Sequence, residues 1–391
     1  MDPVSFLPAI VAIIIALLTT KLISVIFKFN PEPVKYLSID GLRGYLAFFV
    51  FLHHSAIWYF YLRTNKWDVP PSNLYTHFGH SGVALFFMIT GFLFFPKLID
   101  SKEKGIDWIK LYISRVMRLL PLYLVAMLVL ILVVFALSHF ALHENLSVLI
   151  KKIIIWCGFT IMGNPNLNDV ANTRYIVAGV TWSLVYEWLF YFSLPLFGLL
   201  LFRIRSPFLI FSLSILAMAF IFVFNYWPLI NVCSFLGGII AAFLIRNGKF
   251  VVFANGNMAS ALTIVLLAST VFFFKTSYHP VPMILISAAF ILIACGNDLF
   301  GLLSAQLSRA LGQMAYSIYL LHGIILFVCF NFVVGPETSR SVSVLEHWMI
   351  VWACVPVLIF ISYFLHIYVE LPGMNVSGKI TYRIKKLFNI K

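Results

Sequence analysis

The sequence predicts an all-α protein, a polytopic membrane helix bundle of about eleven transmembrane helices, and three observations carry that expectation. Hydrophobic residues fill 62% of the 391 positions and charged residues only 10%, a balance that would leave a water-soluble fold coated in apolar surface. The apolar residues come in runs of about 20, the length that crosses a hydrocarbon core. The charges fall in short clusters between those runs, where membrane-protein loops carry them.

Each run can be taken in order. The first, 4–27, has no basic segment before it and no small-residue cleavage site, and it is longer than the apolar core of a signal peptide, so it is expected to remain as a membrane helix. Runs follow at 41–62, 79–98 and 116–138. The stretch from Ile153 to Gly163 is too short to cross and leads into the polar run Asn164 to Arg174, which reads as an interfacial or re-entrant piece. The remaining runs are 182–202, 207–225, 228–246, 258–274, 281–298, 313–334 and 346–368. The expected organisation is an extra N-terminal helix and cytoplasmic link over 1–34, one membrane domain over 35–376 and a basic cytoplasmic tail over 377–391. No fixed repeat and no Pro-, Gly- or Ser-rich linker interrupts it.

Lysine and arginine total 27 against 14 acidic residues, a formal net charge of +13. The excess forms no basic domain and is not interleaved with aromatics, so no nucleic-acid partner is expected. Placing the C-terminus in the cytoplasm gathers Lys97, Lys110, Arg115, Arg118, Arg203, Arg246 and the tail on one side. Arg63, Lys66, Arg174 and Lys275 are among the few left on the other. That bias sets the N-terminus outside and the C-terminus in the cytoplasm. Cys157, Cys233, Cys295, Cys329 and Cys354 show no CxxC spacing, so neither a disulfide framework nor a thiolate metal site follows. His77 and His80, read as outer-loop residues, have no Cys or HExxH partner, and no metal is expected.

Several ionisable residues sit where a bilayer makes them expensive. Arg43 opens the second run, and His54 follows three helical turns later on the same face, on the order of 16 Å along the axis. On the residues alone two readings are open: a snorkelling arginine with a packed histidine, or an anion held at Arg43 that presents a thioester near His54. Arg115 and Arg118 share a helix face close to Lys110, and guanidinium groups bind phosphate bidentately. Glu187 is an acidic residue well inside a predicted span, at a depth similar to His54, where it can orient a histidine or pair structurally between helices. Tyr316, Tyr319 and His322 share a face, and His366 and Glu370 stand at i, i+4; packing and helix-end hydrogen bonding account for both sets.

Asp40-Gly41-Leu42-Arg43-Gly44 followed by His54 resembles the arginine, ten residues, histidine signature of the membrane acyltransferase 3 family. The resemblance continues in order through Gly79-His80-Ser81-Gly82 to Thr90-Gly91-Phe92, then Arg115, Arg118, Pro121 and Tyr123, then Trp182-Ser183-Leu184, Glu187 and Phe190-Tyr191. It ends with Tyr316-Ser317-Ile318-Tyr319-Leu320-Leu321-His322 and Glu370-Leu371-Pro372, so it covers about 37 to 372. Thr90 stands where a serine is usual, as does Ala315 before the tyrosine. The run 4–27 precedes the usual start of the domain, and stand-alone transfer, without the extracytoplasmic hydrolase-like domain that some members append, is expected.

What the resemblance implies is an integral membrane O-acyltransferase. Acyl-CoA, most often acetyl-CoA, is its donor substrate and not a permanently bound cofactor. The acceptor is a carbohydrate or glycolipid such as lipopolysaccharide O-antigen or exopolysaccharide, and membrane lipid surrounds the protein. Arg43, Arg115, Arg118 and Tyr319 are the expected donor-binding residues, and His54 and Glu187 the catalytic ones. The outer loops, with Trp67, Tyr75, Asn164 and Tyr175, offer aromatic and amide groups to a sugar. The competing class is a secondary transporter that uses His54, Glu187 and Arg43 as a proton or substrate relay, but no inverted hydropathy repeat supports it.

Overall fold

A computed structural model describes residues 2–101, 105–203 and 227–388. Its helices are α1 (Phe6–Ile26), α2 (Leu37–Thr64), α3 (Asn73–Asp100), α4 (Trp108–Leu137), α5 (Leu146–Cys157), α6 (Trp182–Arg203), α7 (Trp227–Leu244) and α8 (Gly248–Ala254). They continue as α9 (Asn257–Phe273), α10 (Pro280–Ala294), α11 (Gln306–Gln313), α12 (Ala315–Val328), α13 (Pro336–Ser341), α14 (Val344–Leu365) and α15 (Leu371–Leu387). Among the described residues there is no strand. In hydrocarbon only a helix or a closed barrel satisfies its own backbone, so the apolar runs have this outcome.

Among the described residues, 6 helices are long and apolar enough to cross a membrane, or up to 7 if α7 and α8, bent by 114° at their junction, form one span. α9 and α10 are shorter apolar helices, and the predicted run 207–225 lies outside the described residues. α5 is a 12-residue helix, too short to cross, where an interfacial piece was expected. α3 begins at Asn73, so His77 and His80 are helical and not in a loop. Ser72 caps the helix by accepting from the Tyr75 N–H, which carries it six residues ahead of the apolar run. The run 346–368 continues through a π-helical turn at His366–Glu370 into α15, and the whole helix covers Val344–Leu387. Most of the predicted tail is therefore helical.

The chain forms two compact units, Met1–Gly105 with Phe192–Ala315, and Ile106–Tyr191 with Tyr316–Lys391. In the first, small residues let backbones touch. A Cβ on Gly238 of α7 would stand 1.9 Å from the Met88 carbonyl oxygen of α3. One on Gly312 of α11 would stand 1.8 Å from the Asp40 carbonyl of α2. This is the close packing that membrane helices achieve through glycine. In the second unit, a Cβ on Gly323 of α12 would lie 2.4 Å from the Val177 carbonyl carbon, and one on Gly373 of α15 would lie 2.8 Å from the Met117 oxygen of α4. α14 starts in a capping box between Ser343 and Glu346.

Candidate active site

In the first unit the ionisable residues line α2. Arg43 lies 3.7 Å from Asp40, and this turn is pressed on by α11 through Gly44 and Gly312. His54 is on the same unbroken helix, buried, with Nδ1 2.9 Å from the Val50 carbonyl. A carbonyl can only accept, so Nδ1 donates, and in the neutral form of the ring Nε2 carries the lone pair. In that form His54 has the tautomer a general base needs, set by its own helix. Trp67 stacks near its ring, with centroids 6.3 Å apart, and Trp58 and Tyr61 meet Trp67 edge-on.

His53 is the neighbour that sequence reasoning passed over. Its ring lies edge to face with His54 at 5.0 Å and 5.9 Å from His80, and its Nδ1 donates to the Tyr75 carbonyl at 2.7 Å. Gly79 makes room for it, since a Cβ there would approach three ring atoms to 2.6–2.7 Å. His80 bonds to the Thr276 hydroxyl at 2.8 Å and stacks on Tyr278, while His77 bonds to Ser81 and to the Phe274 carbonyl. Among the described residues no group of three or more His, Cys, Asp or Glu is placed to hold a metal.

The second unit holds Glu187, Arg115, Arg118 and Tyr319. The buried Tyr191 hydroxyl donates to the Glu187 carboxylate and accepts from Arg115. Arg118 stands three residues beyond Arg115 on α4, next to Leu119, whose carbonyl accepts from the Tyr316 hydroxyl at 3.0 Å. Tyr191 stands four residues after Glu187, a spacing that could have flagged it. The Tyr319 hydroxyl meets Ser183 at 2.8 Å and the Val180 carbonyl at 3.1 Å, which ties α12 to the start of α6. Glu370 accepts from Ser317 and lies 3.1 Å from His366 Nδ1, a buried carboxylate with two partners inside a π-helical turn. His54 and Arg43 thus belong to one unit, and Glu187, Arg115, Arg118 and Tyr319 to the other.

Helices of membrane length that carry buried, hydrogen-bonded ionisable residues define a multi-pass membrane protein. The family described as an acyltransferase domain matches residues 36–367, and the chain belongs to that family, acyltransferase 3. It is a membrane acyltransferase. No curated protein and no solved structure matches it.

Proposed function

We propose that the protein transfers an acyl group, in the first instance acetyl, from acyl-CoA at the cytoplasmic face to a hydroxyl of an extracytoplasmic carbohydrate. The observation that carries this reading is His54, locked by the Val50 carbonyl with Nε2 as proton acceptor, three turns along the same helix from Arg43. Nε2 takes the proton of the acceptor hydroxyl as its oxygen attacks the thioester carbonyl. The C–S bond breaks, and the His54 imidazolium returns the proton to the leaving thiolate, so the products are the ester and free CoA. Arg43, Arg115 and Arg118 are proposed as ligands for the donor's phosphates. Glu187, held by Tyr191 beside Arg115, fixes that guanidinium, and Tyr319 fixes the entry to α6 through Ser183. The location proposed with this reading is a plasma membrane, the bacterial inner membrane that the family resemblance implies, and the distribution of basic residues supports an N-terminus outside and a C-terminus in the cytoplasm.

The test is transfer of radiolabelled acetyl from acetyl-CoA into macromolecular carbohydrate by membranes carrying the wild type or His54→Ala. A general base contributes about 100- to 10,000-fold, so label in the variant should fall to background at equal abundance. Unchanged labelling would remove His54 as the base, and substrate flux without acyl consumption would favour a transporter.

A further inference from the structure

The mechanism above makes no use of an exposed basic face in the second unit, on α15. One face of this helix is packed. Gly373 lies against Met117 and Pro121, Thr381 is buried, and the Lys385 ammonium reaches the Asp107 carboxylate of the α4 N-cap at 2.8 Å. On the opposite face Lys379, Tyr382, Arg383 and Lys386 follow one another at helical spacing, all exposed, with Tyr382 at 69%. Lys379, Arg383 and Lys386 have no partner among the described residues. Three cations thus flank one open aromatic ring.

The helix length says what this face meets. Val344–Leu387 is one helix of 44 residues, about 66 Å at 1.5 Å per residue. Lys379 lies roughly 52 Å along it from Val344. A bilayer with its headgroup regions is about 40–45 Å thick. With the capping box of Ser343 and Glu346 at the outer interface, the basic face stands beyond the cytoplasmic headgroups, in the water through which a nucleotide-bearing donor arrives.

We propose that this face of α15 binds the phosphorylated adenosine end of acyl-CoA, with Lys379, Arg383 and Lys386 on its ribose phosphate and the Tyr382 ring stacked on adenine, the diphosphate being left to the arginines proposed above. The inference rests on the acyl-CoA reading and adds a nucleotide subsite to it. Cations supply the affinity for phosphate, and a base stacks on an aromatic ring whatever its sequence context. The face is solvent-exposed and separate from the packed side, so its substitution leaves the fold intact.

The experiment uses the full chain in detergent, with thermal stabilisation by acetyl-CoA as the readout of affinity. Joint substitution of Lys379→Glu, Arg383→Glu and Lys386→Glu should weaken acetyl-CoA binding at least about tenfold, and Tyr382→Ala about tenfold. The wild type should bind dephospho-CoA, which lacks the ribose phosphate, less tightly than CoA, and the triple variant should no longer distinguish the two. Equal acetyl-CoA affinity in wild type and triple variant overturns the proposal. So does a triple variant that loses only stabilisation by short-chain phosphatidylglycerol, which would make the face a headgroup surface. A wild type that does not bind acetyl-CoA at all overturns the acyl-CoA reading, and the subsite with it.

Discussion

Replacing Gly79 with alanine tests how closely α3 supports the histidines of α2. The new Cβ would stand 2.6 Å from one atom of the His53 ring and 2.7 Å from two others, whereas unstrained contacts need about 3.5 Å, so the ring must retreat by roughly 1 Å. The hydrogen bond from Nδ1 to the Tyr75 carbonyl, 2.7 Å in the native arrangement, would then stretch past its useful range. Overpacking of this kind costs about 1–3 kcal/mol and the lost bond about 0.5–1.5, together roughly 1.5–4.5 kcal/mol of stability. His54 lies edge to face with the displaced ring at 5.0 Å, and a misplacement of about 1 Å at a reacting group lowers a rate by about 100-fold. Thermal unfolding in detergent and acyl-transfer rates should be measured for Gly79→Ala, His53→Ala and the double variant. Alanine at 79 should be costly beside histidine and nearly neutral beside alanine, because the truncated side chain leaves room for it. Equal destabilisation in both backgrounds, or none in either, would refute the reasoning.

Two further predictions concern the second unit. Tyr191→Phe removes the hydroxyl between Glu187 and Arg115; initial rates should show a KM for acetyl-CoA raised about tenfold with kcat little changed, consistent with loss of one hydrogen bond to a charged group. At the α4 N-cap, the hydrogen bond from Lys385, and next that from the Lys110 N–H, hold the Asp107 carboxyl below its ordinary range. A depressed carboxylate stabilises the fold above its unfolded pKa and loses that contribution as pH falls through the folded value, so α15 should loosen from α4 below about pH 4. Asp107→Asn should show the same loosening at neutral pH, read as faster amide exchange over Leu371–Leu387; protection equal to wild type would count against the clip.

The parts of this protein that were legible in the sequence are those written in local periodicity. Arg43 and His54 share a face of α2 because eleven residues make three turns, and no tertiary information is needed to see it. The start of α3 was missed: the predicted run begins at 79, six residues late, because a hydropathy window overlooks the polar first turn behind Ser72. The support for His53 was not legible: its partner Tyr75 and its space at Gly79 lie on another helix, and pairing between helices is not encoded in either one alone. The same holds for Ser317 and Glu370. The Asn247 cap, which accepts from the Phe250 N–H, explains why the chain leaves α7 and turns sharply instead of running on. A short polar interruption there is hard to distinguish from an ordinary loop.

The π-helical turn at His366–Glu370 has a consequence for register. A π turn accommodates one residue more than the α-helix around it. Every side chain of α15, including the face of Lys379, Tyr382, Arg383 and Lys386, therefore points where it would in a plain α-helix shorter by one. Removing Ile367 or Tyr368 would relax the turn to α and leave that face where it is. Removing one residue after Gly373 would instead rotate everything beyond it by about 100°. Lys385 would then leave Asp107, and the cations would sweep toward α4. The turn is a place where this chain can change length without changing direction, and the helix beyond it is not.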